Sequence, residues 1–78
     1  MGDGYALLVP PRQNFVTPAD VGRRVSFQYE LPNGSVSEAT GVLETWDEPA
    51  NTYVVRTKDG ELRRVPAHGV RFGRVVPG

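Results

Sequence analysis

The run TYVVRTKDGELRRV at residues 52–65 decides the architecture. Two stretches of β-forming residues, Thr52 to Lys58 and Glu61 to Val65, flank Asp59-Gly60. Aspartate-glycine between such runs signals a hairpin, because a two-residue type I′ turn needs positive φ at both central positions. That loop length sets a register in which Lys58 faces Glu61, Thr57 faces Leu62, Arg56 faces Arg63 and Val54 faces Val65. The Lys58–Glu61 pair is attractive. Arg56 opposite Arg63 is not, since like charges directly across a ladder destabilise it. The conflict hints at a basic surface kept for some purpose.

Toward the N-terminus lies a long strand, Val36 to Trp46, with Gly41 in its middle. A central glycine marks a bulge or sharp bend, which a small barrel needs where one strand serves both halves of the wall. Asp47 to Asn51 turns the chain into the hairpin. Before the long strand, Arg23 to Glu30 alternates, with Val25, Phe27 and Tyr29 on one face and polar residues on the other. Leu31-Pro32-Asn33-Gly34-Ser35 is its turn. Thr17-Pro18-Ala19-Asp20 reads as a capped single turn that aims the chain into this strand. Residues 1–16 lack periodicity and read as a flexible N-terminal arm. Within it, Tyr5 to Val9 is either a mobile terminus or an extra strand on a sheet edge.

Toward the C-terminus, Pro66-Ala67-His68-Gly69 reads as a short 3-10 turn before a last strand, Val70 to Val76. The predicted fold is all-β: a small five-stranded SH3-like barrel over residues 17–78, with the 3-10 turn before its last strand. An OB-like barrel competes, but it wants a longer helix where only the Asp59-Gly60 turn stands. The predicted core is Val25, Phe27, Tyr29, Leu43, Val54, Leu62, Val65, Val70 and Phe72.

Composition agrees and narrows the chemistry. In 78 residues there are nine glycines and seven prolines, which leaves no space for long helices. There is no cysteine, so disulfides, thiolate metal sites and cysteine nucleophiles are excluded. No apolar run reaches the roughly 18 residues of a membrane span, and a cytoplasmic location is the expectation. His68 is the only imidazole and sits in a turn, where capping or exposure accounts for it. Neither a glycine-rich phosphate loop nor a nucleophile–histidine–acid spacing occurs. No metal, no cofactor and no autonomous catalysis are expected.

Net charge is zero, yet it is unevenly spread: residues 1–52 carry three basic and seven acidic side chains, residues 53–78 six and two. Eight of the nine basic residues are arginine, the side chain suited to forked contacts with carboxylate, phosphate and aromatic faces. Arg56, Arg63 and Arg71, with Arg64 or Arg74, are candidates for one outer wall of the last three strands, with Tyr53 and Trp46 as aromatic partners. Two readings follow. The wall docks an acidic protein partner or, with less support from the zero net charge, nucleic acid. Alternatively the arginines pair with Glu30, Glu38 and Glu44 on neighbouring strands. Trp46 is likewise either a recognition platform or a cap on the open end of the barrel.

The segment from Asp20 to Pro77 resembles the small SH3-like domain at the N-terminus of a group of actinobacterial GNAT-family N-acetyltransferases. The resemblance is carried by Val21-Gly22-Arg23-Arg24-Val25, Tyr29 to Ser35, Gly41-Val42-Leu43, Trp46-Asp47, Val54-Val55-Arg56, Asp59-Gly60-Glu61, Val65-Pro66 and Arg74-Val75-Val76-Pro77. It implies a barrel that accompanies a catalytic domain as an accessory module, with a protein partner or that adjoining domain as its contact. It transfers no acetyl-CoA site to any residue here.

Overall fold

The computed structural model describes residues 13–77. Its elements are β1 (Gln13–Asn14), a 3-10 turn (Pro18–Asp20), β2 (Arg24–Glu30), β3 (Val36–Asp47), β4 (Thr52–Arg56), β5 (Leu62–Pro66), a second 3-10 turn (Ala67–Gly69) and β6 (Val70–Val75). One six-stranded sheet runs in the order β1-β6-β2-β3-β4-β5. The all-β expectation holds, with six strands in place of five. The additional strand, β1, pairs in parallel with β6, Gln13 opposite Phe72 and Asn14 opposite Gly73.

The last residues of the expected arm are therefore docked. The Phe15 N–H donates to the Gly73 carbonyl at 2.8 Å. Val16 is buried, and its carbonyl accepts a 3.0 Å bond from the Tyr53 hydroxyl. The rest of the arm, including Tyr5 to Val9, lies outside the described residues. Tyr53→Phe should cost about 1–2 kcal/mol, because it leaves a buried carbonyl unpaired. Lowered urea resistance with faster amide exchange at Phe15 checks this; unchanged exchange would mean that the bond does not hold the segment down.

Thr17 caps the first turn as its sequence implies: its side chain accepts from the Ala19 N–H, and Asp20 accepts from the Thr17 N–H at 2.8 Å. β2 places Val25, Phe27 and Tyr29 in the core, the face that period two assigns. β3 is the shared strand: residues 36–42 pair with β2 and residues 42–47 with β4. Gly41 sits just before the crossover. A Cβ there would run into the Arg56 carbonyl oxygen, so only glycine allows the two strands to approach this closely.

The β4–β5 hairpin departs from the predicted register. The Thr57 N–H donates to the Glu61 carbonyl, and the Gly60 N–H to the Thr57 carbonyl. In this turn only Gly60 has positive φ, at 84°. The connection is thus a three-residue loop with glycine at the left-handed position, not a type I′ turn. The first hairpin closes identically, Leu31 to Ser35 and Gly34 to Leu31, with Gly34 at φ 89°. One extra loop residue slips the ladder by one: Arg56 faces Leu62, Val55 faces Arg63, Val54 faces Arg64 and Tyr53 faces Val65. The expected Arg56–Arg63 repulsion does not exist.

This slip and two bulges redraw the core, which comprises Val16, Val25, Phe27, Tyr29, Ala39, Leu43, Tyr53, Val55, Val65 and Val70. Leu62, expected inside, is 53% exposed opposite Arg56. Val54 is buried but stands outside this cluster, between Thr45 and Arg64. Phe72, also expected inside, is exposed. The pairing shifts from Gln28–Phe72 to Tyr29–Val70, so Arg71 is an unpaired extra residue and the alternation reverses across it. Val70 and Gly73 then face inward, while Phe72 meets Phe15 edge-on outside, ring centroids 6.4 Å apart. Gly73 is required inside, since a Cβ would lie 2.9 Å from the Phe27 ring.

Candidate functional site

The candidate arginines stand on β4, β5 and β6 and do not share one face, but each meets an acid. Arg56 donates from Nε to Glu44 at 2.9 Å. Arg64 donates to Asp47 at 2.6 Å, across two strands. Arg63 reaches Glu61 at 3.3 Å and Arg71 reaches Glu30 at 3.7 Å. Glu44 is placed by the β3 bulge that separates the Leu43–Val55 pair from the Thr45–Val54 pair. The expected partners Glu30 and Glu44 take part; Glu38 has no ion pair among the described residues, and Asp47 and Glu61 supply the remaining carboxylates.

These contacts lower the proton affinity of two acids. The Arg56 guanidinium hydrogen-bonded to Glu44 pulls its carboxyl below the ordinary range, and the Arg64 hydrogen bond does the same to Asp47 against an opposing effect of desolvation. A folded-state pKa below the unfolded one gives stabilisation that is present above the ordinary carboxylate range and lost as pH falls through the lowered values. The melting temperature should therefore decline below about pH 4.5. Glu44→Gln with Asp47→Asn should flatten that acid limb. An equally steep limb in the double variant would remove these two pairs as its source. Pairs this exposed contribute little to stability at neutral pH.

The aromatic candidates are differently placed. Tyr53 is 4% exposed, inside the core, with its ring 5.0 Å from Phe27 and its hydroxyl engaged. Trp46 is half-buried, packed on the core with its ring 4.7 Å from Tyr53. The structure thus sets Arg56 and Arg64 on the outer side of the sheet, Arg63 on the other side opposite the buried Val55, Arg71 on β6 with β2 and β3 between it and β4, and Tyr53 in the core.

A feature not singled out in the sequence lies at the rim beside Gly41. Arg24, Val42, Arg56 and Leu62 face one another in succession across β2, β3, β4 and β5, on the outer side. A groove of about 510 Å³ runs along the Arg24–Val42–Arg56 part of this row, lined by Arg24, Thr40, Val42, Arg56, Thr57 and Lys58 among others. The signal is spread over 36 positions of sequence from Arg24 to Asp59, and only the register assembles it.

Elsewhere among the described residues, no three His, Cys, Asp or Glu side chains converge as a metal site requires, and no buried side-chain nitrogen or oxygen lacks a hydrogen-bond partner. No helix among them is long and apolar enough to cross a membrane.

A single small β-sheet around one core, with a surface of charge pairs, defines a small β domain of the Sm-like or SH3-like kind. The model of the Rv0428c N-terminal Sm-like domain family matches residues 19–74, and the chain belongs to that family. The match covers the turn at Pro18–Asp20 from its second residue and nearly all of β6. No curated protein and no solved structure matches the chain. The resemblance is thereby supported at the level of a small β-barrel-like domain; the family match says nothing of an acetyltransferase.

Proposed function

We propose that the domain is a non-catalytic interaction module that docks a protein partner or positions an adjoining catalytic domain, in keeping with its resemblance to the domain that precedes a GNAT acetyltransferase. One observation carries the reading. Arg56, Arg63, Arg64 and Arg71 all have a carboxylate within 3.7 Å, so the surface offers alternating charge and not a continuous cationic track. Phosphate-backbone binding draws on uncompensated positive charge and weakens steeply with salt. A partner protein with its own mixed charges suits such a surface better, because complementarity there sets register and specificity.

An amide-shift titration with a short DNA duplex, a single strand and an acidic peptide tests this at physiological salt. Shifts with the peptide alone are expected. Salt-sensitive shifts over residues 53–76 with either nucleic acid, abolished by Arg56→Glu plus Arg63→Glu, would reverse the choice. Acetyl transfer by the purified chain would end the non-catalytic reading.

A further inference from the structure

Arg24, Lys58 and Arg74 are the lysine and arginine side chains without an ion pair among the described residues. Two of them, Arg24 and Lys58, line the same groove. Between them the row holds Val42, which is 36% exposed, and Arg56, whose charge Glu44 already meets. Arg24 and Arg56 stand two strands apart, about 10 Å at ordinary strand spacing, and Lys58 lies just beyond on the hairpin. Gly41 also lines the groove, its side-chain position turned inward and closed by the Arg56 carbonyl of the neighbouring strand.

We propose that this groove docks an acidic protein segment, which sets one carboxylate on Arg24, another on Lys58, and an apolar side chain on Val42 between them. The inference rests on the interaction-module reading and gives it a site and a ligand class. Charge complementarity selects the occupant. Two separated, unpaired cations match two carboxylates, and an exposed valine matches an apolar side chain. Glu44 beside Arg56, and Asp59 on the groove wall, would repel a continuous phosphate backbone. Both cations are exposed, so neither is committed to holding the fold.

The probe is a blocked peptide with two glutamates flanking a leucine, titrated into the full chain and followed by amide shifts. A diglutamine analogue and a short duplex are run in parallel. Shifts are expected at residues 24, 40–42 and 56–59, weakening with salt and absent with the analogue. Arg24→Glu with Lys58→Glu should reduce affinity about tenfold or more, while leaving the remaining amide spectrum unchanged. Peptide shifts that map elsewhere, for example to the Phe15–Phe72 face, overturn the site and leave the interaction reading standing. Shifts with the duplex alone overturn both. No shift with the peptide at millimolar concentration overturns the site, and equal binding of the diglutamine analogue overturns the carboxylate chemistry.

Discussion

Phe27→Ala should unfold most of the protein at room temperature. Phe27 is 1% exposed, its ring tilts against Tyr53 at 5.0 Å, and its edge fills the space that Gly73 leaves open. Truncation removes the largest buried apolar group, and the surrounding strands cannot collapse into the void, because β6 and β3 flank β2 on both sides. Such truncations cost about 3–5 kcal/mol, against a total of roughly 5 kcal/mol for a domain this small. Loss of dispersed amide signals and of a cooperative urea transition is the expected result. A dispersed spectrum with an unchanged midpoint would place Phe27 outside the core.

Gly41→Val should be as damaging by the opposite means. Its new Cβ meets the Arg56 carbonyl, a backbone atom that cannot rotate away, so β3 and β4 must separate where the strand changes partners. Overpacking of cores costs about 1–3 kcal/mol and occasionally more; a backbone collision belongs at the upper end or beyond. Gly34→Ala is the control. Nothing lies within 4 Å of its virtual Cβ, so only its φ of 89° is penalised. That strain costs about 1–2 kcal/mol. A Gly41→Val midpoint no lower than that of Gly34→Ala would mean that the strands are not pressed together at the crossover.

Sequence reading recovers what is written locally. Alternation along Arg24–Glu30, the glycine in the long strand and the capped turn at Thr17 each translate directly into structure. Register is harder, because Asp59-Gly60 serves two loop lengths equally well. With glycine at the second left-handed position the loop has two residues; with glycine alone left-handed it has three. The choice moves Val55 inward and frees Arg56 for Glu44. The bulge at Arg71 has no compositional mark, so Phe72 keeps its expected phase on paper and loses it in the sheet. Site legibility follows register: the arginines were visible as a set, their acidic partners only in part, and the Arg24–Lys58 groove not at all.

The pairing of β1 solely with β6 has a consequence for the order of synthesis. Strands β2 to β5 form a meander that can zip together as each emerges, since every partner is its immediate neighbour in sequence. β2 pairs its other edge with β6, so Val25 and Ser26 wait for Val75 and Arg74. Closing a loop that long carries an entropy cost that local hairpins avoid. Until β6 leaves the ribosome, one flank of Phe27 has no strand to cover it. Gln13 and Asn14, though made before the other described strands, have no strand partner among the described residues until then. The first described strand in the chain is among the last that can be placed.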